Sequence, residues 1–163
     1  GDCTHSGGDF AACLAQQPPL NDLAWLPDLA AYEQAQHHAH HADDAVPAEF
    51  AALLDPQAVV ALHPSVRVLS LAHDIAAAHE AAVAGEPLPR VRPLACDLLV
   101  GRDRADVVVR ICLAPLEARF VAAIAAQASL TAALDRLDPT PDDMTLLQML
   151  LARLVQHGLL ITL

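Results

Sequence analysis

The stretch ACDLLVGRDRADVVVRICLAP, residues 95–115, constrains the fold more than any other part of the chain. Two alternating, β-branched runs flank a polar turn containing Gly101 and Asp103, which is the pattern of an antiparallel hairpin. Pairing Val100 with Val107, Leu98 with Val109 and Cys96 with Ile111 gathers their apolar side chains on one face. The other face then sets Asp97 opposite Arg110 and Leu99 opposite Val108. It is half apolar, so a cover over it is expected.

The hairpin runs into helices. Pro115 opens one to about Gln127, Ser129 caps a short LTAALDRL segment, and TPDDMTLLQMLLARLVQHG begins with Thr140 as N-cap and Pro141 at the first helical position. That third helix stops at Gly158, and LLITL ends the sequence as a strand. Upstream, LHPSVRVLSL (62–71) sets Val66, Val68 and Ser70 against Arg67, Leu69 and Leu71, the alternation of a strand, and AHDIAAAHEAAVAG is a helix stopped at Gly85. One strand, a hairpin and three helices make the parts list of a winged helix.

The remainder is helical in pattern. GGDFAACLAQQPP predicts a short helix from Asp9 to the Pro18-Pro19 stop, and a longer one runs from Pro27 to about Ala42. Pro47 begins another short helix, broken at Asp55-Pro56. The Pro-rich EPLPRVRP is the candidate boundary between a helical lobe with one strand, 1–85, and a winged-helix lobe, 86–163. The expected class is α+β, with an N-terminal helical lobe, a C-terminal winged helix and a small antiparallel sheet.

Only 3% of residues are aromatic against 55% hydrophobic, so Ala, Leu and Val must build the core. A chain of 163 residues suffices for one core or two small packed lobes. The longest apolar run, Phe120 to Ala126, is far short of the roughly 20 residues that a spanning helix needs. No membrane partner is expected, and the cytoplasm is the default location. Cys3, Cys13, Cys96 and Cys112 form no C-x-x-C pair and are expected as free thiols.

A net charge of −11 argues against a phosphate-tracking surface. The third helix starts with Asp142 and Asp143 and offers Gln148 as its one plausible base-edge donor, so no nucleic-acid partner is expected. A winged-helix DNA-binding regulator is the alternative. The same architecture can instead let an extended peptide add a strand at the hairpin edge, beside the third helix. Arg90, Arg92, Arg102, Arg104 and Arg110 make this window mildly positive, which suits an acidic peptide.

The stretch AQHHAHHADD, residues 35–44, is the other concentration of chemistry. On an ideal helix Glu33, His37, His40 and His41 share an arc of about 100°, with His38 pointing elsewhere. The arc continues Leu26, Leu29 and Ala30. A His pair at i and i+4 suits helical metal sites, but no second ligand group of matching strength follows, and His63, His73 and His79 are scattered. Solvated or interface histidines are the expectation. No catalytic constellation stands out, so the chain is expected to be non-enzymatic, with no metal or cofactor of its own.

GGDFAACLAQQPPLNDLAWLPDLAAYEQAQHHAHHADDAVP followed by LHPSVRVL resembles the HvfC family. Its pattern runs as a DF-helix, a proline stop, W/Y-LPDLA, E-x-x-x-H-x-x-x-H and a later LHPSxRLL. Glu33, His37 and His41 match the spaced triplet; His63, Pro64, Ser65 and Arg67 match the later motif. Gln34 stands where the family usually has an aromatic. The N-terminal half of the long HvfC proteins is absent, so the chain is closest to the short, MbnC-like form of methanobactin biosynthesis. The resemblance implies a PqqD-like peptide-recognition element at the C-terminal end. It also implies a heterodimer with an iron-dependent oxidase that converts cysteines of a ribosomally made precursor peptide into oxazolone and thioamide groups, giving a copper chelator. Iron would belong to the partner. Leu99, Val108, Arg110, Leu146, Met149, Leu150 and Arg153 would hold the precursor's leader, while Glu33, His37, His41, His63 and Arg67 would face the oxidase.

Overall fold

The computed structural model describes residues 23–55, 58–87, 89–126 and 129–163. The helix expected from Asp9, with Cys3 and Cys13, lies outside the described residues. Helix α1 spans Leu26–His41, with Pro27 in its first turn. A 3₁₀ turn at Phe50–Leu54 leads to strand β1, Val60–Leu62. Strand β2 is Arg67–His73, helix α2 Ala76–Ala84, strand β3 Pro93–Arg102 and strand β4 Val108–Leu113. Helices α3, Pro115–Ala125, α4, Leu130–Leu137, and α5, Pro141–Gln156, precede strand β5, Leu160–Thr162. The class is α+β, with small antiparallel sheets.

The punctuation falls where the sequence sets it. Ser129 accepts a hydrogen bond from the Ala132 amide, and Thr140 and Asp143 cap α5 reciprocally. Gly85 and Gly158 end their helices in the left-handed region, with φ of 69° and 71°. The Glu117 carboxylate accepts the Ala114 amide at the start of α3.

Strand order in the larger sheet is β2-β3-β4, and β1 pairs with β5 in a second sheet. Both sheets join segments from either side of the Pro-rich connector, so strand pairing does not separate the chain at residues 85 and 86. The strand expected over 62–71 is divided. Leu62 ends β1, and a turn closed by the Val66 amide on the His63 carbonyl separates it from β2.

The hairpin forms in a different register from the expected one. Leu99 lies opposite Ile111, Val100 opposite Arg110, and Gly101 opposite Val109. The cause is Asp103, whose carboxylate accepts the amides of Ala105 and Val107 and tightens the turn. Asp106 supplies the left-handed residue at φ 61°. Gly101 is therefore a strand residue, and a Cβ there would stand 2.7 Å from Leu159 Cδ2. The register moves by an odd number of residues, which exchanges the faces of one strand relative to the other.

Both faces of the sheet are covered. Leu99, Ile111, Leu113 and Val66 join Phe120, Ile124, Leu147, Leu150, Leu154 and Leu159 in the larger core. Leu98, Val100 and Leu71 pack on the other side against Tyr32, Ala35 and Ile75. The run Leu98-Leu99-Val100 is buried on both sides, as a central strand between two layers demands. Each such Leu contributes about 1.5–3 kcal/mol by leaving water.

Helix α1 lies on the sheet because small residues, Ala35 and Ala39, let it approach. Fasteners hold both its ends. The Asp28 carboxylate accepts the Ala72 amide at 2.9 Å and His73 Nδ1 at 2.8 Å, and His38 Nε2 donates to the Pro64 carbonyl at 2.8 Å.

Candidate peptide-binding edge

Strand β4 borders β3 on one side and no strand on the other among the described residues. Its outward backbone groups are a template for a further strand. The opposite edge, β2, is partly occupied: Asp28 takes the Ala72 amide. The two edges differ for that reason.

Arg110 is the charged residue at the centre of β4, on the α1 side of the sheet. Its guanidinium donates to the Tyr32 hydroxyl at 3.0 Å and to Glu80 at 3.2 Å, and it lies 6.0 Å from the centre of the Tyr32 ring. Burial works against the charge, yet the Tyr32 and Glu80 oxygens outweigh it and push the pKa up. Tyr32 is fully buried, is met edge-on by His79, and accepts a hydrogen bond from Gln36. Cys96 and Cys112, both free thiols, lie near Arg110 along the same face. Burial, then the neighbouring Cys112 and Asp74, raise the Cys96 pKa, which keeps that sulfur as a thiol.

Arg102 and Arg104 of the arginine cluster do not stand free for a ligand. Arg102, 13% exposed, binds the Asp44 carboxylate at 2.6 Å and the carbonyls of His40 and Ala42, closing the end of the histidine helix. Arg104 binds Glu49 and the Ala48 carbonyl. The turn between β3 and β4 is thus clamped to residues 40–49.

The residues expected to hold a leader are divided among three places. Leu99 and Leu150 have no exposed surface and belong to the larger core. Val108 and Arg110 lie on the α1 side of the sheet. Leu146, Met149 and Arg153 are exposed on α5, 45% and 55% for the first two. The odd register shift accounts for this, because it puts Leu99 and Val108 on opposite faces.

His37, His40 and His41 are exposed, as solvated or interface histidines should be, but the helix buries a different face from the one expected. Its buried face carries Tyr32, Ala35 and Ala39, so the arc of Glu33, His37 and His41 turns to solvent rather than continuing the core. The His37 and His41 rings stand 4.4 Å apart. Arg67 is exposed, reaching His38 at 3.4 Å and the Val66 carbonyl at 3.0 Å. His63 is 6% exposed: its Nδ1 accepts the Ser65 amide at 3.2 Å and faces the Ser65 hydroxyl at 2.9 Å. Burial lowers the His63 pKa, partly offset by a bond to the Ala45 carbonyl. His63 is therefore a buried fastener of the turn before β2, whereas the triplet is exposed. Among the described residues no group of three His, Cys, Asp or Glu side chains could hold a metal ion.

No family model matches this sequence, and no curated protein matches it. Sequence reasoning missed Tyr32, Glu80, Asp28 and His38. The single tyrosine was the available signal, since a buried Tyr needs a partner for its hydroxyl. The α5 N-terminus remains negative: Asp142 is exposed, and the Thr140 hydroxyl and amide hold the Asp143 carboxyl below its usual range. No helix among the described residues is long and apolar enough to cross a membrane.

Proposed function

We propose that this chain is a non-catalytic, winged-helix, PqqD-like subunit that binds an extended precursor peptide and presents it to an iron-dependent oxidase. The edge of β4, unpaired among the described residues, carries the reading. A peptide added there gains main-chain hydrogen bonds, while its alternating side chains meet Arg110 and the recesses beside it on one face. Leu146 and Met149, exposed on α5, are the further apolar contacts proposed for the leader. The exposed triplet Glu33, His37 and His41 is the oxidase-facing surface, with Arg67 beside it. Iron, and the conversion of cysteines to oxazolone and thioamide groups as in methanobactin biosynthesis, belong to the partner. This assignment of partner and chemistry rests on the resemblance of the LPDLA, E-x-x-x-H-x-x-x-H and LHPS motifs to the HvfC family.

The test is to look beside this chain's gene for an iron-dependent oxidase and a short Cys-containing peptide, and to reconstitute the chain with both. Mass spectrometry should find modified cysteines only when both subunits are present. Equal modification by the oxidase alone, or any by this chain alone, would overturn the proposal.

A further inference from the structure

The face of β4 turned toward α1 presents Val108, Arg110 and Cys112 in a row, two residues apart. The surface is hollowed on both sides of Arg110. Toward Cys112 lies an apolar recess of about 400 Å³ whose walls include Leu71, Ile75, Leu94, Cys96 and Leu98. Toward Val108 lies a second, of about 310 Å³, bounded by His79, Glu80, Val83 and Ala84. Each has an exposed apolar lip, Leu94 at 55% and Val83 at 76%. A cation therefore stands between an apolar hollow and one of mixed lining, where Gln36, His79 and Glu80 lie beside Val83, Ala84 and Val108, along a strand edge that is open among the described residues.

A strand added to β4 would place its directly opposed side chains about 4.5–5.5 Å from those of β4, Cβ to Cβ, with every second residue on this face. Three successive same-face residues then meet Cys112, Arg110 and Val108. We infer that β4 selects an extended peptide of the pattern apolar–any–acidic–any–apolar, its outer residues filling the two recesses and its carboxylate meeting Arg110. This inference rests on the edge-addition reading above and names the sequence chemistry which that edge takes. Glu80 already neutralises Arg110 in part, but its side chain is 65% exposed, so an incoming carboxylate can displace it. The acidic residue thus acts in selection more than in affinity, because a cation opposite Arg110 is repelled.

The probe is a fluorescein-labelled nonapeptide, Thr-Thr-Leu-Thr-Glu-Thr-Leu-Thr-Thr, titrated into the full chain by anisotropy, with amide exchange of β4 followed in the same samples. Replacing its Glu by Lys should weaken binding roughly tenfold, and moving the Glu one position onto the other face roughly threefold. Arg110→Glu should reverse the Glu-over-Lys preference. Glu80→Gln, which removes the competing carboxylate, should tighten the Glu peptide roughly threefold. This second variant decides the matter if Arg110→Glu does not fold. Protection of β4 by all the peptides with equal affinity overturns the pattern and leaves edge addition standing. Absence of β4 protection with every peptide, at millimolar concentration, overturns both.

Discussion

The Arg102 guanidinium lies 2.6 Å from the Asp44 carboxylate, joining the hairpin to the end of the histidine helix. The two partners are unequal: Arg102 is 13% exposed and Asp44 94%. Arg102 also satisfies the carbonyls of His40 and Ala42. Arg102→Ala should therefore cost about 2–3 kcal/mol, whereas Asp44→Ala should cost under about 1 kcal/mol. Urea denaturation of the two variants measures the difference, and equal losses would contradict the clamp.

Asp28 is the matching fastener at the other end of α1. Asp28→Ala leaves the Ala72 amide and His73 without their acceptor and should destabilise by about 1–2 kcal/mol. Amide exchange at Ala72 should accelerate while β4 stays unchanged. An unaltered Ala72 rate would show that α1 is held by packing alone.

The pH dependence of stability should carry a contribution from His63. Its folded pKa lies below the ordinary 6.5 of the unfolded chain. Between those values the unfolded state binds more protons, so stability is full above about 6.5 and is lost as pH falls toward the folded value. Melting temperatures of the wild type and His63→Gln, taken from pH 7.5 to 5.5, isolate the effect. The variant should show the shallower fall; parallel curves would contradict it.

Gly101→Ala should destabilise by about 1–3 kcal/mol. The new methyl would stand 2.7 Å from Leu159 Cδ2 and 3.1 Å from Val66 Cγ2, and Leu159, fully buried, has no room to swing aside. A neutral thermal melt would mean that the sheet and β5 can separate at little cost.

Much of the fold was legible because its signals are local. The caps at Ser129 and Thr140, the stops at Gly85 and Gly158 and the alternation around Asp103 each act within a few residues. The hairpin register was not legible, since it depends on where the Asp103 carboxylate finds its amides and on the room that Leu159 leaves only for Gly101. The site suffered in consequence: an odd register shift sends Leu99 into the core and leaves Val108 and Arg110 on the opposite face. The buried side of α1 was misjudged for a related reason. Its apolar content is nearly uniform around the helix, and the position of Tyr32 decides which side faces the sheet.

Val108→Asp and Met149→Asp should each weaken binding of the proposed precursor's leader at least roughly tenfold. Met149 is 55% exposed, so its variant should keep the wild-type melting temperature. Unchanged affinity in Met149→Asp would remove α5 from the groove.

The most direct measurement is amide hydrogen exchange across Val108–Leu113, in the isolated chain and in the presence of the proposed oxidase and precursor peptide. The β4 amides turned away from β3 should exchange quickly in the isolated chain and become slow when the peptide is present. Protection confined to α1, with β4 unchanged, would contradict the assignment of this edge as the peptide site.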